Sequence, residues 1–481
     1  MAASSTAPEG LRASLLKAAA QFSAGSALGL LGNVLRAGMA ARMLPADVAG
    51  TWLGLQLFYN YGINLHFGAV FGMFRSVPLL RSRGDLDGAD AAKATTFTFV
   101  LGICMLGLVV LAVVWGVMPP VPMRGYILAT GVLTLTTLAK SYYVTLFKSE
   151  SRFRELSLSA SAGSVVSVGT LFLIWVAGLE GLIWGMVAQG TTEMLVLVRY
   201  VGAPTLRWNL PVLRAQITVG VQTLFVAILT TFLTSIDRTV MLQKLGSSQT
   251  GLYYVGANVS VLLPALASLP LSVLTPRFFE RAGRGESTTA LVETPLRMTS
   301  STLAIALGIG AIALPPTVAN LWPRLVDGTD AAMVALLASY PLVLAGLVSN
   351  VFYALNRQLL QLILLGSSAL IGYGTGTVAV AMHPSLVAAC AGALVGFVSY
   401  YVSLLLVGYV VDGRKASAAI SLLYVSIRPM AIALLALFAC RLALRPLGPD
   451  TSIRRAIIAE FAFCLLMTPT FLGVWRDLRR K

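Results

Sequence analysis

The sequence predicts an all-α integral membrane protein of about fourteen transmembrane helices. They are expected as two six-helix bundles related by a pseudo-two-fold axis, plus two C-terminal helices. Three observations carry this. Of 481 residues, 57% are hydrophobic and 11% charged, and the mean hydropathy is +0.82; that is the composition of a polytopic membrane protein. Apolar runs recur along the chain, each near the roughly 20 residues a helix needs to cross a ~30 Å hydrocarbon core. A stretch near the N-terminus also shares its plan with one 201 residues later.

The candidate spans are 15–43, 48–73, 94–117, 124–147, 155–177, 181–200, 215–242, 250–275, 295–315, 331–354, 358–382, 385–411, 427–446 and 456–475. Arg36 cuts the first, and Arg441 and Arg445 crowd the thirteenth. Gln21, Asn33 and Arg36 interrupt the first run, which favours an uncleaved span over a signal peptide. Most connections on the expected outer side are short (44–47, 118–123, 178–180, 246–249, 383–384), and only 316–330 and 447–455 are longer. No soluble domain is expected on either side, so the functional surface must lie between helices.

The net charge of +16 could suggest nucleic acid, but its placement argues against that partner. With the N-terminus inside, 24 of the 35 Lys and Arg fall on inner segments and 9 on outer ones, while Arg36 and Lys140 lie within spans. This positive-inside bias predicts that both termini are cytoplasmic. Cys104, Cys390, Cys440 and Cys464 lie singly in apolar runs, without metal or redox spacing, and read as core residues. His66 and His383 are too few for a metal cluster. No cofactor is expected beyond a coupling ion, H+ or Na+.

The repeated plan is clearest in Thr231–Glu286, where an apolar helix runs into Asp237 and Arg238, turns near Gly246–Gly251, and returns as a second apolar helix to a basic cluster. At a shift of 201, Gly50 and Trp52 fall on Gly251 and Tyr253. Arg83-Gly84-Asp85 falls on Arg284-Gly285-Glu286, and Arg36 on Asp237. Six spans per repeat is an even number, so both copies would share one orientation about an axis along the membrane normal. The expected division is 1–200, 201–411 and a two-helix addition, 412–481.

Polar residues inside the spans are the candidate site. An ionised side chain in hydrocarbon costs about 3 kcal/mol even on the lenient insertion scale, so Arg36, Asp237 and Arg238 require a reason. Gln56, Asn60 and Asn64 recur every four residues and would share one face of a continuous helix. A wet cavity is the preferred reading of that face, against hydrogen bonds that only join helices. Lys140, with Thr137, Ser141, Tyr142 and Thr145 nearby, either faces such a cavity or snorkels to the interface. Glu193 either carries a coupling proton or, the preferred reading, pairs with a basic helix end; Glu460 is the other buried-looking acid. Gly29 and Gly32, with Ala18–Ala20 and Gly25, read as close-packing positions.

Enzyme motifs are poor. Asp85-Leu86-Asp87 lies on a basic inner loop with no catalytic domain behind it. The glycines of 372–376 follow no strand, so they are not a phosphate loop. A glycosyltransferase or polymerase would want a substantial outer loop.

The opening LLGNVLRAGMAARMLPADVAGTWLGLQLFYNYGINLHFGA, the TSIDR segment, the LGSSQTGLYYVG turn and the PRF end resemble bacterial polysaccharide flippases of the multidrug/oligosaccharidyl-lipid/polysaccharide exporter superfamily. The resemblance covers residues 11–411. It implies two bundles around a cationic central cavity that Arg36, Asp237 and Arg238 line or brace. The inner half holds few unmistakable cavity cations, which puts weight on Lys140. The implied substrate is an undecaprenyl-diphosphate-linked oligosaccharide in the bacterial inner membrane, with membrane lipids and polysaccharide assembly enzymes as partners. Such a head needs a water-filled path, cations for phosphate, and amides or aromatics for sugars; the planar fork of Arg suits a diphosphate. Rival readings are a cation-coupled small-molecule antiporter and a peptidoglycan-precursor flippase of the same superfamily.

Overall fold

The computed structural model describes residues 28–202, 204–262, 289–355 and 357–479, and every regular element among them is a helix. The start of the first expected span, with Ala18–Ala20 and Gly25, lies outside the described residues, as do the end of the eighth and the basic cluster Arg277–Arg284. In chain order the helices begin with α1 (28–43), α2 (Ala46–Gly62), α3 (Ala69–Ser82), α4 (Leu86–Val117), α5 (Pro122–Ser149) and α6 (Phe153–Gly169). They continue with α7 (Leu171–Val201), α8 (Leu210–Leu233), α9 (Ile236–Lys244), α10 (Gly246–Leu252), α11 (254–262) and α12 (Thr289–Leu321). A 3-10 turn, Pro323–Gly328, leads to α13 (Thr329–Ala354), α14 (Gln358–Met382), α15 (Leu386–Val411), α16 (Ala416–Ala443) and α17 (Ile453–Arg479).

Among the described residues, eight helices are long and apolar enough to cross a membrane. The other expected spans differ for local reasons. Turns over 63–68 split the second span into α2 and α3. The fourth, α5, is 28 residues long but is diluted by threonines and Lys140. The seventh is present as α8, one of the eight, but a turn at 234–235 ends it early and sets off α9. The outer connection expected at 246–249 is itself helical, as α10. The long loop expected over 316–330 is mostly the end of α12 and the 3-10 turn.

The chain forms two compact units, one of 1–43 with 55–228 and one of 44–54 with 229–481. The division into 1–200, 201–411 and 412–481 follows sequence correspondence instead, and stands as a proposal.

In the first unit α3, α4 and α5 pack together, and α5 also packs on α7. Met73, Val77, Leu138, Tyr142, Phe147 and Leu197 form the centre of that core, each fully buried. The α6–α7 hairpin reverses where the sequence places an outer turn. Gly178 adopts φ 55° and ψ −123°, a conformation open to glycine, and α7 doubles back so that Gly181 lies against the Leu173 carbonyl.

In the second unit α14 and α15 cross at close range, because Gly372 and Gly376 face Gly396 and Gly392 with no side chain between. The glycines of 372–376 are thus a packing seam. The short α9 lies on both helices, with Ile236 and Val240 against that seam. α12 packs on α13, α16 and α17, and fully buried Phe463 fills the space over Gly308. Tyr340 and Tyr401 converge on Ser426, tying α13 and α15 to α16.

Candidate functional site

A continuous polar chain runs through the first unit. Asn33 and Arg36 sit three residues apart on α1, and Gln189 and Glu193 one turn apart on α7, so each pair shares a helix face. Arg36 Nη1 donates to Gln189 Oε1 at 2.6 Å, and Nη2 donates to Asn33 Oδ1 at 2.5 Å. Gln189 Nε2 donates to Glu193 Oε1 at 2.9 Å. Lys140 Nζ, from α5, donates to Glu193 Oε2 at 2.8 Å. The Ser159 hydroxyl holds the Glu193 backbone carbonyl at 2.8 Å, and Gly163 on α6 leaves the room the carboxylate occupies.

This arrangement has a physical logic. Arg36 is 7% exposed, and the Lys140 and Glu193 side chains are 23% and 15% exposed. Ionised groups so withdrawn from water persist when paired and hydrogen-bonded. Among the described residues the chain joins two cations, Arg36 and Lys140, to one carboxylate, Glu193. Glu193 is paired, but with Lys140 from within α5 and not with a basic helix end. Lys140 donates to that carboxylate.

The amide face of α2 is shorter than expected. α2 ends at Gly62, and i to i−3 turns follow, so Asn64 leaves the helix on which Gln56 and Asn60 remain. Asn64 Nδ2 folds back onto the Asn60 carbonyl at 3.0 Å. Apolar Ile63, Leu65 and Phe67 fill the break, which is why hydropathy alone did not mark it. Buried His66 accepts the Gly68 amide through Nδ1 at 3.1 Å, a backbone-shaping role.

Asp237 and Arg238 belong to the second unit. They sit in the first turn of α9, where the helix dipole favours the carboxylate. Asp237 Oδ2 accepts the Tyr253 hydroxyl at 2.5 Å, and Oδ1 accepts the Arg238 backbone amide at 2.8 Å. Arg238 Nη2 donates to the Thr234 carbonyl at 2.9 Å, bridging the α8–α9 break, with Nε 3.8 Å from Asp237. Both side chains are almost fully buried. Arg238 therefore braces a helix break, while Arg36 carries its own network.

Gln189, Asn33 and Tyr253 were not read from the sequence as site residues. The signal for Gln189 was present: it lies four residues before Glu193 on one helix face. Asp85 of the D-x-D caps α4, accepting the Gly88 amide at 2.8 Å. Cys104, Cys390 and Cys440 are buried as expected, but Cys464 is exposed on α17 and is not a core residue.

Eight helices long and apolar enough to cross a membrane, among the described residues, mark a multi-pass membrane protein. This chain belongs to the polysaccharide biosynthesis protein family, whose profile matches residues 71–321. No curated protein matches it by sequence. Among solved structures, it is similar to the inward closed conformation of the lipid II flippase MurJ, with 11% identity and a TM-score of 0.70 over 95% of this chain and 99% of that one. It is similar to an outward-facing multidrug resistance MATE family transporter of the MOP superfamily, with 14% identity and a TM-score of 0.62 over 84% of this chain and 96% of that one. A MOP superfamily transporter from Pyrococcus furiosus gives 14% identity and a TM-score of 0.60, again over 84% and 96%. At these identities the likeness is one of fold.

Proposed function

We propose that this protein translocates an undecaprenyl-diphosphate-linked oligosaccharide across the bacterial inner membrane by alternating access, for polysaccharide biosynthesis. The observation that carries the reading is the Asn33–Arg36–Gln189–Glu193–Lys140 chain, in which buried Arg36 and Gln189 and half-buried Lys140 and Glu193 set cations and amides side by side. The Arg36 fork donates to the neutral amides of Asn33 and Gln189. A diphosphate is a stronger, charge-assisted acceptor with geometry matched to the fork. Half-buried Gln56, Asn60 and Tyr59 on α2 supply groups of the kind that hold sugar hydroxyls. Both termini are cytoplasmic in this reading, and the partners are the lipid-linked glycan, membrane lipids and polysaccharide assembly enzymes.

A second reading, a cation-coupled small-molecule antiporter, draws on Glu193, an intramembrane carboxylate. Lys140 and Gln189 already occupy both of its oxygens, which favours a bracing role. Deleting the gene in its own host tests the choice. The expected result is loss of surface polysaccharide with build-up of its lipid-linked oligosaccharide. Intact polysaccharide with new drug sensitivity would favour the antiporter. Build-up of the lipid-linked peptidoglycan precursor would favour a peptidoglycan-precursor flippase.

A further inference from the structure

The turn joining α16 to α17 gathers four arginines, Arg441, Arg445, Arg454 and Arg455, around one carboxylate, Asp450. Arg455 is used internally. Its side chain is 8% exposed, pairs with Asp450 at 2.8 Å, and donates to the Gly448 and Arg441 carbonyls at 2.5 and 2.9 Å. That pairing cancels the Asp450 charge and fixes the turn. Arg441 lies 3.9 Å from Asp450 through Nε, and its Nη2 donates to the Met333 sulfur at 3.0 Å. Thioether sulfur is a weak acceptor. Arg445 and Arg454 are exposed.

Three arginine charges are thus left over at one end of a hairpin. Arg454 also sits in the first turn of α17, where the helix dipole opposes a cation. Local preferences broken without internal compensation mark a surface arranged for something else. An open cleft beside this turn is lined by Ala311, Ile312, Pro315, Arg441, Asp450 and Arg455. Adjoining it, Phe438, Leu442, Ile453, Ile457 and Phe461 expose apolar side chains. The surface combines excess positive charge with an apolar flank. A bilayer lipid with a phosphate head and acyl chains has the complementary pattern.

We propose that this turn binds the phosphate of an anionic phospholipid, with Arg441, Arg445 and Arg454 as its ligands and the acyl chains along α16 and α17. The site is separate from the α1–α5–α7 network and does not depend on what the protein transports. Arginine at these positions suits phosphate because its fork donates two parallel hydrogen bonds.

Native mass spectrometry of the purified full-length protein, titrated with phosphatidylglycerol or phosphatidylcholine, tests this. Wild type should hold phosphatidylglycerol in preference to phosphatidylcholine. The Arg441→Gln/Arg445→Gln/Arg454→Gln variant, with Arg455 kept as the brace, should lose that binding by roughly tenfold or more, since basic residues near an anionic lipid surface attract it. A matched Arg75→Gln/Arg83→Gln/Arg154→Gln variant should bind as wild type. Single Arg445→Gln and Arg454→Gln variants, at exposed positions, serve if the triple variant is not monodisperse, and each should weaken binding. Unchanged phosphatidylglycerol binding in the turn variants would overturn the proposal. So would equal loss in the matched variant, or full displacement of the lipid by millimolar inorganic phosphate.

Discussion

Gly50 and Gly251, which correspond under the 201-residue repeat, pack directly against each other. A Cβ on Gly50 would enter the Ser247 carbonyl and approach the Gly251 nitrogen to 3.0 Å. One on Gly251 would enter the Ala46 carbonyl and approach the Gly50 nitrogen to 2.9 Å. Ala46 and Ser247 are themselves 201 apart, so the contact maps onto itself when the repeats are exchanged. The contact is thus reciprocal under the expected 201-residue shift, and it lies within one unit, to which both 44–54 and 229–481 belong.

The close approach predicts that Gly50→Ala and Gly251→Ala each destabilise the protein by about 1–3 kcal/mol, because the obstructing atoms are backbone and cannot rotate away. Thermal unfolding in detergent should show a lower midpoint for both. Wild-type midpoints in both variants would contradict the packing.

Lys140 and Glu193 should behave as a coupled pair. Glu193→Gln leaves a partly buried ammonium without its carboxylate, and Lys140→Met leaves the reverse; each should lower membrane abundance and thermal stability. Removing one member of a buried pair costs more than replacing both. The Lys140→Met/Glu193→Gln double variant should therefore be more stable than the sum of the single effects implies, by roughly 1 kcal/mol or more. Additive losses would mean the two side chains do not act together.

Tyr253→Phe removes one atom and leaves Asp237 Oδ2 without its hydroxyl donor. A lost hydrogen bond to a buried charged group costs about 1.5–3 kcal/mol. Asp237→Asn should likewise impair folding or transport without abolishing a separable chemical step. If purified protein cleaved sugar from a lipid diphosphate and Asp237→Asn removed that activity, the bracing role would be wrong.

Much of this was legible in the residues. The pairing of Gly50 with Gly251 was legible, because close packing constrains glycine more sharply than apolar filler. The reversal at Gly178 was legible because its backbone conformation is one open to glycine. The breaks at 63–68 and 234–235 were not, since their side chains are as suited to a span as to a turn. Arg36, Lys140 and Glu193 were each conspicuous as charges in apolar runs. What joined them was Gln189, an uncharged amide that costs little in a helix and so leaves a weak mark.

The charge bias predicts that reporter fusions after Arg83 and Lys481 read as cytoplasmic and a fusion after Gly246 as external. A cytoplasmic signal from the Gly246 fusion would overturn the assigned orientation.

The central claim is that Arg36, held by Gln189 and Asn33, recognises a lipid diphosphate by charge and fork geometry together. Proteoliposomes carrying wild type, Arg36→Lys or Arg36→Ala at matched amounts, assayed for translocation of a short-chain polyprenyl-diphosphate glycan, test it most directly. The account predicts a partial defect for Arg36→Lys, on the order of tenfold, because the charge survives and the fork does not. Arg36→Ala should be slower still. Wild-type rates from Arg36→Ala would contradict it and remove Arg36 from the mechanism.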